Sequence, residues 1–252
     1  MAGILVLLAG CGGGPRMRVV EGPKIRKPVA GTKGPTRELT HGGQINLSLA
    51  QNYLQAGELS MALDRAHRAL ATDPGSGSVH AMLGLINDRI GNQARASQSF
   101  QRAIQLSPNG GGVLNAYGTW LCSHGDYAGA AQQFARALND PFFTARGLAH
   151  FNAGHCLLKS GQAVQAEVSL RRSLDEPGSD LASVLMSLAQ ATLAQGKLLE
   201  ARGFIQRRES MGVTPEVLEL AARIEDASGD RAAAARYRAR LQPGGANGEG
   251  QP

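Results

Sequence analysis

The sequence predicts an all-α protein built from stacked helix pairs, and three observations predict it. Residues 49–57 (LAQNYLQAG) lie over residues 83–91 (LGLINDRIG) at a shift of 34, and small and apolar residues keep recurring at that spacing downstream. The composition favours helices, with abundant Ala, Leu and Gln and only 4% aromatic residues, and no run alternates apolar with polar residues as a half-buried strand would. Glycines and prolines fall at fixed places within the period, where helices must end.

The units follow in chain order. In the first, expected over residues 43–76, Gly57 ends the first helix, Ala62 and Ala69 form the buried stripe of the second, and Pro74 stops it. Residues 77–110 repeat this with Gly84, Gly91, Ala96, Phe100, Ala103 and Pro108. Residues 111–146 supply Tyr117, Gly118, Gly125, Ala130, Phe134 and Ala137. A fourth unit, 147–181, carries Gly154, Gly161, Ala166, Leu170 and Pro177 after a two-residue insertion, with Ser173 where Ala is usual. Leu188, Ala189, Gly196, Ala201 and Ile205 mark a fifth over 182–214. The sixth, 215–241, is the poorest match, with Ala222, Gly229, Ala234 and Leu241, and suits a terminal cap. This pattern resembles the tetratricopeptide repeat (TPR), which implies a superhelix of about six helix-turn-helix units over residues 43–241.

The flanks differ in kind. Residues 1–10 form an apolar run too short to span a bilayer, which needs about 20 apolar residues, and they fit the core of an export signal. Leu8-Ala9-Gly10-Cys11 resembles the lipobox of bacterial lipoproteins, which implies cleavage before Cys11 and its acylation. No basic residue precedes the apolar core, so the leader is expected to be truncated. Residues 11–40 carry seven basic and two acidic residues on a Pro/Gly-rich stretch, leaving 19 basic and 18 acidic residues elsewhere. The net charge of +6 therefore belongs mainly to an expected disordered spacer, not to a nucleic-acid-binding face. Residues 242–252 are expected to be a disordered tail.

By resemblance, the first helix of each TPR lines a concave groove through positions 2, 5, 9 and 12. Those positions nominate Leu47, Gln51, Leu54, Leu85, Asp88, Asn115, Thr119, Phe151, His155 and Leu158 as a partner-binding groove. Apolar anchors dominate and rows of Lys or Arg are absent, which suits an extended or helical protein segment rather than an acidic tail. Several of these residues have an alternative place, packed between neighbouring repeats.

Two stretches are more particular than the repeat requires. Asn115, Gly118 and Cys122 form N-x-x-G-x-x-x-C, and Asn152, Gly154 and Cys156 form N-x-G-x-C. With the lipobox and the repeat number, they resemble the type IV pilus biogenesis/stability lipoproteins, the PilF/PilW family. The resemblance implies an outer-membrane lipoprotein facing the periplasm that acts on pilus stability and on localisation and multimerisation of the secretin pore. Its expected partners are a secretin subunit or another pilus assembly protein, and the membrane through the lipid. A general envelope scaffold or outer-membrane protein assembly lipoprotein is the alternative. Once Cys11 is assigned to lipid, Cys122 and Cys156 either pair across adjacent first helices or lie as small buried apolar side chains.

Signatures of catalysis are missing: the chain has no phosphate-binding loop, no H-E-x-x-H and no G-x-S-x-G. His150 and His155 are five residues apart, which does not place both on one helix face. His155, Cys156 and Cys122 could together offer metal ligands, but structural roles suit these residues better. Neither enzyme activity nor a metal or cofactor is expected.

Overall fold

The computed structural model describes residues 39–242. The lipobox, Cys11, the basic spacer and all but the first residue of the expected tail lie outside the described residues. Twelve helices follow one another: α1 (His41–Gln55), α2 (Leu59–Thr72), α3 (Gly77–Ile90), α4 (Gln93–Leu106), α5 (Gly111–Ser123), α6 (Tyr127–Leu138), α7 (Arg146–Lys159), α8 (Ala163–Asp175), α9 (Leu181–Ala194), α10 (Leu198–Glu209), α11 (Pro215–Ala227) and α12 (Arg231–Ala239). Each odd-numbered helix packs on the even-numbered helix that follows it, and the odd-numbered helices also neighbour one another along the stack. Six helix pairs result, and no strand occurs among the described residues. Nor, among them, is any helix long and apolar enough to cross a membrane.

The local signals that form the helices are side-chain caps. Thr40, Ser76, Asn92, Asp126, Asp180 and Asp230 each accept a hydrogen bond from the amide three residues on, satisfying one orphan donor of the first turn. Between paired helices the chain turns through Gly57, Gly91, Gly125, Gly161, Gly196 and Gly229, all with φ between 73° and 89°, where a Cβ would be strained.

Within a pair, the missing Cβ of one helix is the space that a large side chain of the other fills. A Cβ on Gly84 would lie 2.7 Å from the Phe100 ring, one on Gly118 2.9 Å from Phe134, and one on Gly154 2.6 Å from Leu170. Phe100 and Leu170 are fully buried and Phe134 nearly so. Ala62, Ala96, Ala130, Ala166 and Ala201, equivalent on the even-numbered helices, are all 0% exposed. Ser173, the departure from Ala in the fourth unit, is also fully buried and is satisfied because its hydroxyl donates to the Gly147 carbonyl at 2.8 Å.

In the first, third and fourth units, a carboxylate or carbonyl from the end of the pair fastens the start of the same pair. Asp73 accepts from the Thr40 hydroxyl (2.8 Å), Asp140 accepts from the Gly111 amide (2.7 Å), and in the fourth unit the Pro177 carbonyl accepts from the Gly147 amide (2.8 Å). The C-terminal half adds ionic ties between repeats. Glu167 on α8, with a side chain only 9% exposed, accepts from Arg171 (2.8 Å), Lys197 (2.7 Å) and Gln195 (2.8 Å). Arg171 reaches on to Glu200, and Arg202 grips Glu225. Burial by itself would raise the Glu167 pKa, but hydrogen bonds from Lys197, Arg171 and Gln195 outweigh it and hold the carboxyl down at about 2.

Three outcomes are expected. Gly84→Ala should lower the melting temperature, because overpacking against Phe100 costs about 1–3 kcal/mol and exceeds the ~1 kcal/mol gain in helix propensity. Gly203→Ala on α10, where an added Cβ meets nothing within 4 Å, should raise it. Glu167→Gln should destabilise by about 1–2 kcal/mol at neutral pH, since two of its partners are exposed enough to be partly screened. That difference should be full above the ordinary carboxyl value of 4.5 and vanish as pH falls towards about 2, because protonation removes the charge the wild type relies on. Thermal melts of both proteins across that range check the sign.

Candidate functional site

The odd-numbered helices stand side by side and form one wall of the stack. Five of the nominated groove residues have one side in the seams of that wall. Leu47 and Leu54 are half-buried against the core beneath α1 and α3, Leu85 against Phe100 and Val113, and Phe151 and Leu158 against Leu170, Val184 and Leu188. Their remaining surface lies open, so each both joins repeats and lines the wall. Gln51 and His155 are exposed. Thr119 is half-buried and donates its hydroxyl to the Asn115 carbonyl at 2.9 Å, as helical threonines commonly do. Asn115 is only 7% exposed.

That burial has a partner in the next repeat. The Asn152 amide donates to the Asn115 side-chain oxygen at 3.1 Å, tying α5 to α7. Two turns further along α5 and one turn further along α7, Cys122 and Cys156 form a disulfide with Cα atoms 5.8 Å apart. No unusual helix approach is required. Axes about 8–10 Å apart put facing Cα atoms, each about 2.3 Å off axis, well within disulfide reach. The two Asn/Gly/Cys stretches thus form one seam, joined by an amide pair at one level and a covalent bond at another.

Asp88 is the centre of a group that the spacing did not show. The Trp120 indole N–H donates to its carboxylate at 3.1 Å, and the His124 ring lies 3.3 Å from the same oxygen. Trp120 stacks on Tyr117 with centroids 5.8 Å apart, lies 5.3 Å from Phe100 and 4.8 Å from His124. Across the seam Phe151 stacks on His155 at 6.0 Å. Partial burial, and then the Lys159 charge, keep the His155 pKa below its ordinary value. The signal in the sequence was the lone Trp, one repeat on from an acidic position, which a fixed list of groove positions does not include.

The wall therefore combines a half-buried leucine/phenylalanine row with flat rings, of which Trp120 and His124 already engage Asp88. Such a surface offers apolar contact and few strong ionic anchors, the chemistry of a protein-binding groove. Helix pairs stacked six deep, with glycine turns and small residues at the crossings, define a tetratricopeptide-repeat protein.

Neither a protein-family model nor a curated protein matches the chain. Solved structures do. The chain is similar to PilW, described as a widely conserved type IV pilus biogenesis factor, at 27% identity and a TM-score of 0.72 over 83% of this chain and 96% of that one. It is similar to PilF of Pseudomonas aeruginosa at 26% identity and a TM-score of 0.66, over 81% and 93% of the two chains. A thermophilic TPR protein of Thermus thermophilus, 20% identical with a TM-score of 0.58 over 74% and 98%, shares the fold alone. The first two likenesses support a TPR protein of the type IV pilus biogenesis kind, the resemblance already carried by the Asn/Gly/Cys stretches.

Breaking the central seam should be costly. Closing a 34-residue loop corresponds to roughly 3–4 kcal/mol in the chain-entropy model. Reduction, or the Cys122→Ala/Cys156→Ala double variant, should lower the denaturation midpoint to the same extent, and reductant should have no further effect on the variant.

Proposed function

We propose that this protein is an outer-membrane lipoprotein assembly factor for type IV pili. Acylation at Cys11 holds it to the membrane with the repeats in the periplasm. The odd-helix wall holds a segment of a partner protein, foremost a secretin subunit, and promotes localisation and multimerisation of the secretin and stability of the fibre. The observation that carries this reading is the likeness to PilW along nearly that protein's whole length at 27% identity, together with a seam built from the same residues that carried the sequence resemblance. A groove rich in half-buried apolar side chains supports a polypeptide ligand. No catalytic role is assigned to any residue.

Photocrosslinkers placed at Gln51 and His155, both exposed and beside the apolar row, test the partner directly in cells. Recovery of secretin subunits from both positions is the expected result. Recovery of unrelated outer-membrane barrel proteins instead would favour the general envelope scaffold. Cys11→Ala should move the protein out of the membrane fraction and reduce secretin multimers, and retention of both would refute the anchor.

A further inference from the structure

A cavity of about 770 Å³ opens on the face away from the odd-helix wall, between α6 and α8 with α7 as its floor. Comparison between repeats explains its origin. The residue just before the crossing glycine of the first helix is Leu83 in the second unit and Tyr117 in the third, but Ala153 in the fourth. The fifth and ninth residues of the second helix are Leu63 and His67, Ser97 and Gln101, and Glu167 and Arg171 in other units, but Ala131 and Ala135 in the third. Three alanines thus converge where neighbouring repeats project larger side chains. The matching gap between α2 and α4 measures about 430 Å³ and is lined by Leu83, Gln98, Arg102 and Gln105.

The cavity has one cationic end. His150 lines it and is 8% exposed, yet among the described residues neither ring nitrogen has a hydrogen-bond partner. Its counterpart His80, at the same repeat position, is bonded to the Pro74 carbonyl at 3.3 Å. Arg172 on α8 lies at the same end, while the nearby acid Glu176 is engaged by Arg146. The cavity's acidic residue, Asp126, sits three turns of α6 away, about 16 Å, with a carboxylate oxygen already capping Gly129.

From this geometry we infer that the cavity binds a long-chain monocarboxylate, its chain along Ala131, Phe134, Ala153 and Leu157 and its carboxylate at Arg172 and His150. The volume falls within the range of small-molecule sites. A hydrocarbon chain suits walls whose backbone groups are spent in helices, whereas a peptide backbone would bring a donor and an acceptor per residue with no partner on those walls. A guanidinium and an imidazole N–H supply the charge-assisted hydrogen bonds a carboxylate takes. Burial, then the Arg172 charge, hold the His150 pKa below its ordinary value against an opposing pull from Glu176.

The purified full-length chain should bind cis-parinaric acid saturably at one site, with palmitate displacing it. Arg172→Gln should weaken palmitate about fivefold or more while leaving hexadecanol, which has no carboxylate, within about twofold. Ala153→Leu, which restores the side chain of the other repeats, should weaken both ligands about tenfold by filling the space. Ala135→Gln, an exposed position matched to Gln101, does the same without touching the core. Absence of saturable binding, or binding that both cavity-filling variants leave unchanged, overturns the inference. So does tighter binding, in competition with palmitate, by a peptide that ends in apolar residues and a free carboxylate, since that would give the cavity to a polypeptide end.

Discussion

Everything in this molecule rests on how closely two helices can approach within a repeat. Glycine on one helix faces Phe100, Phe134 or Leu170 on the other, leaving no room for a Cβ between them. A small residue opposite a large one sets the crossing distance and leaves each pair with an apolar stripe it cannot bury alone. Burial of that stripe against the next pair is the driving force for stacking, so the wall, the seams and the outer cavity are all consequences of one packing rule.

Seams then differ along the stack because different chemistry closes them. The first joint relies on leucine, isoleucine and alanine around Ala66 and Ile86, and the second on Phe100, Val113, Tyr117 and Trp120. The third and fourth units are joined by a disulfide and a paired asparagine amide. The last units are tied by the Glu167 and Glu225 ion pairs, each with a carboxylate shielded from water and a more exposed cation. A repeat array has no single core, so stability is a sum over joints, and a covalent joint in the middle keeps the two halves from separating independently.

Surface character differs between the two faces for the same reason. The odd-helix wall keeps half-exposed rings and aliphatic side chains because residues that join repeats cannot be fully covered by them. Leu85 and Phe151 are examples. The opposite face is narrower between α2 and α4, where the second helices carry longer side chains, and wider where Ala131 and Ala135 stand over Ala153. The same scaffold can therefore present a broad surface to a protein and a narrow slot to a small ligand without the two competing for residues.

Much of this was legible in the order of residues. Period, glycine turns, the alanine stripe and the all-helical class follow from i, i+4 spacing and from backbone limits that act within one repeat. Partners across repeats were less accessible. Asn152 meets Asn115 at a separation of 37, while the cysteines meet at 34, and Trp120 reaches Asp88 at 32. A loop insertion and the tilt of one helix on the next shift those registers, and no constant spacing captures them. The sequence by itself determined which residues had to be small, where each helix had to end and how many pairs would stack, because these are short-range steric requirements. Only the tertiary structure decided that Asn115 would be buried, that Asp88 would hold an indole and that three alanines would enclose a cavity, because those depend on how rigid helices lie against one another.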